Sequence, residues 1–375
     1  MKQKKALALI LGVKIFLLGL VWFTATIHPA LFNQEGYFEN YHPPQESPSL
    51  NTWFKTWDGM HYIYIAEHGY QADHPLAAFY PLWPFLIRIG SFLLGGHSLI
   101  AALLLSNLLS ILGLLLFHKW LSQKDPQLAD TALLLMLAYP GSIFFMFPYA
   151  ESLFLFLSIA FFTLLSKRRY AAAACVSFLL PLTRTVGIFS VIPLASELAQ
   201  TKIGPKPAIT RKGWLLLVAP LALLSYLLIF YGMTGDALAG VKAQKYYIGG
   251  RSGANLFDAA RFLSEYLSVR SFHDFTHSFV DRFWFTVFLA SLPAIWKYSR
   301  SLFYYAFALG FFPVMTGSFM SFTRFLSVIF PSFIVWAGVF VPNNKRRRFL
   351  PLALILLFGF QIYFLIRHVT QNWAG

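Results

Sequence analysis

Apolar runs separated by short charged segments organise this chain from its first residues. About 17–25 consecutive apolar residues suffice for a helix to cross a bilayer. The first such run is Ala6–Ile27, preceded by Lys2, Lys4 and Lys5. It is longer than the apolar core of about 7–15 residues in a cleaved signal peptide. A retained first span is therefore expected, with Lys14 snorkelling to an interface or facing the bundle. Later runs are Leu99–Phe117, Thr131–Pro148, Glu151–Ser166, Ala171–Ala199, Trp214–Met233, Phe283–Trp296, Leu302–Gly317, Phe325–Val341 and Phe349–Ile366.

Two segments need separate treatment. Ala171–Ala199 is 29 residues long, with Pro181 and Arg184 in its middle and basic clusters on both flanks. If both clusters are cytoplasmic, the segment must go out and return as two short spans, with Arg184 near the turn. Phe79–Leu94 holds Pro81, Pro84 and Arg88, and an amphipathic segment lying along the outer interface suits it better than a crossing. Eleven spans follow, with a cytoplasmic N-terminus and an external C-terminus. The expected fold is an all-α polytopic membrane protein, one membrane-embedded domain over residues 1–375. It has two long extracytoplasmic loops, 28–97 and 234–282.

Composition agrees. Apolar residues make up 57% of the chain and charged residues 12%, with mean hydropathy +0.60. A soluble domain carries about 25% charged residues, so a soluble enzyme is excluded, and so is disorder. The net charge of +15 could suggest nucleic acid, but its placement does not. On the eleven-span topology the cytoplasmic segments hold 18 Lys/Arg against three acids, and the outer side 11 against 12. The surplus is an orientation signal, and no nucleic-acid partner is called for. One cysteine, Cys175, excludes an internal disulfide and Cys-rich metal sites.

Candidate chemistry gathers outside the spans. In Trp57-Asp58-Gly59-Met60-His61-Tyr62 a helix starting at Asp58 would put Asp58, His61 and Tyr62 on one first-turn face, with Gly69 as its C′ residue. Asp58 then reads either as a general base at the membrane surface or as a plain N-cap among interface aromatics. Arg184 is a mid-run arginine, costing about 2.5–3.5 kcal/mol on insertion scales. A phosphate or carboxylate would suit it, and snorkelling is the bland account. Arg324 reads the same way more weakly. Glu151 follows Pro148 at an outer turn, where N-capping explains it equally well. His61, His68 and His74 lie near Asp58, Glu67 and Asp73, in a spacing that matches no tight ligand pattern; no metal or cofactor is called for. Lys242, Lys245, Arg251, Tyr246 and Tyr247 read as a headgroup-contacting patch. There is no Gly-rich phosphate loop, so an activated substrate should arrive through the bilayer.

Several of these segments resemble one family in its order. Trp57-Asp58-Gly59-Met60-His61-Tyr62 through Ile65-Ala66-Glu67-His68-Gly69-Tyr70 resembles the first-loop signature of PIG-V-type mannosyltransferases, members of the GT-C superfamily of membrane glycosyltransferases. Phe79-Tyr80-Pro81-Leu82-Trp83-Pro84 is similar to the family's proline–aromatic segment. Tyr149-Ala150-Glu151-Ser152 resembles a Tyr-Ser-Glu-Ser motif with alanine for serine. Leu182-Thr183-Arg184-Thr185-Val186-Gly187 matches Leu-x-Arg-x-x-Gly, and Arg324-Phe325 through Phe330-Pro331 resembles a late Arg-Tyr…Phe-Pro element.

The resemblance implies a GT-C-like bundle that transfers a sugar, mannose by analogy, from a polyprenyl-phosphate donor. The acceptor would be a hydroxyl of a glycan, glycolipid or protein at the extracytoplasmic or lumenal face. It implies Asp58 as base of a single inverting displacement and Arg184 with Arg324 at the donor phosphate. Trp57, His61, Tyr62, Glu67, Tyr80 and Glu151 would support the site, and acceptor contacts are expected in the second loop. The rival is a transporter or flippase for an anionic or lipid-linked substrate, guided by Arg184 in a broken helix. The missing repeat and the asymmetric outer loops weigh against it. A scaffold that keeps the fold without the activity is a further alternative. The short chain points to a bacterial plasma membrane, or to the endoplasmic reticulum membrane in a eukaryote.

Overall fold

The computed structural model of the chain describes residues 1–40, 47–203, 206–247, 252–341 and 345–375. Apart from a minimal pairing of Lys202–Ile203 with Lys206–Pro207, regular structure among these residues is helical. Five helices are long and apolar enough to cross a membrane: Gln3–Ile27, Ser98–Lys124, Ile209–Thr234, Phe279–Tyr298 and Lys345–Val369. Their outward faces stay apolar. Ile15, Leu104, Leu228 and Ile355 are each more than half exposed, an arrangement that hydrocarbon tolerates and water does not.

The remaining runs form shorter helices. Leu82–Leu93 turns Trp83, Ile87 and Ser91 inward and Phe85, Phe92 and Leu93 outward, the one-sided apolar exposure of an interfacial helix. The stretch Ala171–Ala199 does break in the middle. Tyr170–Leu179 and Val191–Gln200 are separate helices that pack together, joined through two 3₁₀ turns with Arg184 extended between them. Gly187 makes this return possible, since a Cβ there would overlap the Leu180 carbonyl and stand 2.6 Å from Pro181 N. Gly187→Ala should therefore cost about 1–3 kcal/mol or more and displace Arg184. A lowered thermal midpoint of the purified protein, with a parallel loss of activity, checks this.

Thr131–Pro148 is not the single span expected. The helix Pro126–Ala138 stops before Tyr139-Pro140, where proline withdraws an N–H and disfavours helix at the preceding residue. A 3₁₀ turn follows over Pro140–Phe145. Residues 139–150 are buried throughout, so irregular backbone lies inside the protein and its carbonyls need internal donors. They have them. Phe145 O accepts from Lys14 Nζ (3.0 Å), Ser110 Oγ (3.0 Å) and Ser152 Oγ (3.2 Å). Met146 O accepts from Asn107, Pro148 O from Trp83 Nε1, and Leu137 O and Tyr139 O from Gln361. Lys14 therefore faces the bundle and does not snorkel.

Candidate active site

Helix Asp58–His68 is entered through Trp57, whose backbone is held at φ 46°, ψ −122°. Positive φ is strained for a bulky residue and persists only where the surroundings hold it. Here ring packing does so: Phe275 and Trp373 each lie 5.3 Å from Trp57, edge to face. Asp58 is thus the first helical residue and not the N-cap. Its carboxylate stands at the positive end of the helix, the Gly59 backbone lies close against Pro148, and the helix ends at Gly69 with φ 79°.

Four charged side chains from four elements meet beside it. Arg324 donates through an NH1 nitrogen to Asp58 Oδ2 at 2.7 Å, and its Nε lies 3.2 Å from Glu151 Oε1, an ion-pair approach without hydrogen-bond geometry. Arg184 donates to the same Glu151 Oε1 at 2.7 Å. Asp58, Arg324, Glu151 and Arg184 form a chain of alternating sign. The middle pair are buried furthest, with side chains 12% (Arg324) and 3% (Glu151) exposed, against 30% for Asp58 and 17% for Arg184. The ends of the chain are therefore the open ones. Arg184 lies over the Phe325 ring at 4.4 Å. Burial opposes the charge on Arg324, but the carboxylates of Asp58 and Glu151 outweigh it and hold its pKa above the usual arginine value.

These residues line one cavity of about 810 Å³. His61 and Tyr62 flank Asp58 and pack on Phe79 at 5.3 and 4.9 Å. Burial, then Glu151 and Asp58, push the Tyr62 phenol well above its ordinary range, so it stays protonated. Tyr80 is hydrogen-bonded to Thr185 beside Arg184. The cavity has two unlike walls. Tyr80 and Tyr226 pack together at 5.4 Å beside Arg184, with Phe79, Val186, Leu309 and Phe312 also in the lining, and Asn33, Gln371 and Asn372 gather by Trp373 against Trp57, with Glu39, Asn40 and Asp274 also in the lining.

The expected residues Trp57, Asp58, His61, Tyr62, Tyr80, Glu151, Arg184 and Arg324 are all brought together here. Glu67 is not: it is exposed near the far end of its helix and lies outside the cavity lining. The three loop histidines serve different ends. His61 packs on Phe79, His68 stacks on Tyr64, and His74 accepts from Leu76 N. Among the described residues, no group of three His, Cys, Asp or Glu side chains could hold a metal ion. Tyr246 and Tyr247 line the cavity, Lys242 pairs with Asp236 at 2.6 Å, and Arg251 lies outside the described residues.

Asp281 went unnoticed in the sequence, where it looks like an ordinary acid flanking a span. In the fold it is fully buried. Its Oδ1 accepts from Thr323 N (2.8 Å) and Thr323 Oγ1 (2.7 Å), while Tyr139 OH donates to Thr323 O at 2.9 Å. Thr323 precedes Arg324, so Asp281 fixes the turn that aims this arginine. Loss of hydrogen bonds to a charged group costs about 1.5–3 kcal/mol, and Asp281→Ala, which removes the acceptor, should lower stability by that order. Urea or thermal unfolding of the purified chain measures it.

A family model described as Mannosyltransferase (PIG-V) matches residues 28–231, more than half of the chain, and this interval holds Asp58, Tyr80, Glu151 and Arg184. The chain is 30% identical over 185 residues to GPI alpha-1,6-mannosyltransferase 2 of Rattus norvegicus, covering 43% of this chain and 37% of that protein. It is 29% identical over 191 residues to the protein of that name from Homo sapiens, with the same coverage. The matched part is thus well under half the length of these relatives. The archaeal oligosaccharyltransferase AglB from Archaeoglobus fulgidus, solved with an inhibitory peptide and a dolichol-phosphate, superposes with a TM-score of 0.48 at 13% identity. That superposition covers 96% of this chain and 56% of the other, a likeness too low to add to the fold. On the extent of the family match, the chain belongs to the mannosyltransferase (PIG-V) family.

Proposed function

We propose that this protein is a membrane mannosyltransferase that moves mannose from a polyprenyl-phosphate donor to an acceptor hydroxyl at the extracytoplasmic or lumenal face. The N-terminus lies in the cytoplasm. The observation that carries the proposal is the order of the charged chain across the cavity. Asp58 ends it beside Trp57 and the polar wall, and Arg184 ends it beside Tyr80, Val186 and the apolar wall. Two of the apolar-wall residues, Tyr226 and Leu309, come from the apolar helices Val218–Thr234 and Arg300–Met315. A lipid-linked donor can therefore enter along that wall with its phosphate next to Arg184.

The chemistry follows from the two less buried ends, each of which keeps donor or acceptor capacity beyond its ion pair. Asp58 takes the proton of the acceptor hydroxyl as its oxygen attacks the anomeric carbon. The bond from that carbon to the phosphate oxygen breaks, and its electron pair leaves with the lipid phosphate, which Arg184 stabilises by paired N–H donors. A phosphate is already a stable anion, so no general acid is required. One displacement inverts the anomeric centre. Glu151 and Arg324 hold the two working groups apart and oriented. Tyr62, protonated, supplies a hydroxyl donor within the site.

Reconstituted protein supplied with polyprenyl-phosphate mannose and membrane lipid extracts should release polyprenyl phosphate and form a new mannosylated product. GDP-mannose should not substitute. Turnover of the nucleotide sugar with no turnover of the lipid-linked one would contradict the donor assignment.

A further inference from the structure

The backbone that leads into helix Asp58–His68 is gripped by a residue 312 positions away in sequence. His368 lies in the last turn of helix Leu350–Val369, and its Nε2 is hydrogen-bonded to Thr56 Oγ1. Both residues are fully buried. The Thr56 carbonyl oxygen is engaged too, accepting from Gly59 N at 2.8 Å and from Tyr149 OH at 3.3 Å. Phe147, Phe144 and Tyr149 enclose the imidazole, with ring centroids 4.6, 5.0 and 5.5 Å from it. Just beyond, Gln371 Nε2 donates to Thr52 O at 3.2 Å, and Trp373 meets the Trp57 ring.

These contacts bear on the strained entry to the helix. Positive φ at a bulky residue persists only where the surroundings over-determine it. Phe275 and Trp373 fix the Trp57 ring, but ring packing leaves the peptide before it free to tilt. The bonds to the Thr56 hydroxyl and carbonyl fix that peptide, and Asp58 follows one residue later. A phenylalanine in this aromatic pocket would keep the packing, so the imidazole differs from an apolar filler only in the hydrogen bond it makes to Thr56. His368 does not itself line the cavity, so any influence on the chemistry passes through Thr56. A displacement of about 1 Å at a reacting group can cost about 10²-fold in rate.

We infer that His368 is a positioning residue: it holds Thr56, and through Thr56 and Trp57 it sets the direction in which Asp58 enters the cavity. This rests on the proposed transferase reading and adds to it the device that aims the base.

Three substitutions in the purified full chain separate this role from core filling. His368→Phe keeps the ring and loses the bond. His368→Gln carries an amide near the Nε2 position, and His368→Asn holds its amide nearer Nδ1, too short to reach Thr56. Each is assayed for transfer from polyprenyl-phosphate mannose and for amide exchange over residues 52–62. This stretch includes the Gly59 and Met60 amides, which donate to Thr56 O and Trp57 O. In the Phe and Asn variants kcat should fall about tenfold or more, with both KM values nearly unchanged. Exchange over 52–62 should rise about tenfold, the effect of one lost hydrogen bond, while peptides of helix Ser98–Lys124 keep wild-type rates. His368→Gln should recover most of both losses. If His368→Phe fails to fold, Thr56→Val decides: it deletes the hydroxyl alone and should show the same lower kcat and faster exchange. Wild-type kcat and exchange in His368→Phe, or in Thr56→Val, would overturn the inference, as would a Gln variant no better than Asn. No turnover by wild type would count against the transferase reading, and exchange would then judge the hold on Thr56: faster in Phe and Asn alone supports it, equal rates in all four proteins remove it.

Discussion

Asp58→Asn should lower mannosyl transfer about 10²–10⁴-fold, the usual contribution of a positioned general base, with little change in the folded structure. Asparagine has the shape of aspartate and can still accept from Arg324, while Arg324 keeps its approach to Glu151 at 3.2 Å. The carboxylate at position 58 is 30% exposed, so its loss does not strand a fully buried charge. A large kinetic effect with a nearly unchanged thermal midpoint is therefore the signature of a base. A large drop in stability instead would mark Asp58 as a structural partner of Arg324. Glu151 offers the contrast, because it is buried and serves both arginines. Removing one partner of a buried pair costs about 3–5 kcal/mol, and Glu151→Ala should unfold at markedly lower temperature.

Arg184→Ala should reduce transfer about 10²–10³-fold, as loss of one preorganised donor to a developing anion does. The effect should fall on donor kinetics. Arg184 reaches the cavity beside Tyr80 and Thr185, on the apolar side, and its stacking on Phe325 at 4.4 Å fixes the plane of its guanidinium. Acceptor KM should move little. Arg184→Lys keeps the charge but loses the fork and the stacking, so it should recover only part of the rate. Unchanged donor kinetics in Arg184→Ala would contradict its place at the phosphate. Arg324 is expected to behave differently, since it is already engaged by Asp58 and Glu151; its loss should disturb stability and kcat together.

Much of this arrangement is visible in the residues alone, because hydrocarbon imposes a simple rule on composition. Run length identifies Ala6–Ile27 and Leu99–Phe117 as spans, which the structure shows as the long helices Gln3–Ile27 and Ser98–Lys124, and Pro181 with Arg184 inside Ala171–Ala199 marks its break. Asp58, Glu151, Arg184 and Arg324 stand out since a charge beside an apolar run needs a reason. Hydropathy fails where the interior is protein and not lipid. Residues 139–150 are as apolar as a span, yet Pro140 ends the helix, and donors from Lys14, Asn107, Ser110 and Gln361 satisfy the buried carbonyls from distant elements. No local pattern announces them. Asp281 and Trp373 escape notice for the same reason: their partners, Thr323 and Trp57, are far away in sequence. Glu67 shares the motif with Asp58, but it sits near the last turn of an eleven-residue helix, which carries it away from the cavity that Asp58 enters.

Mass-spectrometric detection of heavy-labelled mannose, moved from polyprenyl-phosphate mannose to a membrane-extract acceptor, tests the central claim most directly when wild type and Asp58→Asn are run side by side in vesicles. Transfer by wild type and none by a folded Asp58→Asn protein is the predicted result. Equal transfer by both proteins would contradict Asp58 as the base, and its absence from wild type across the acceptor panel would contradict the transferase itself.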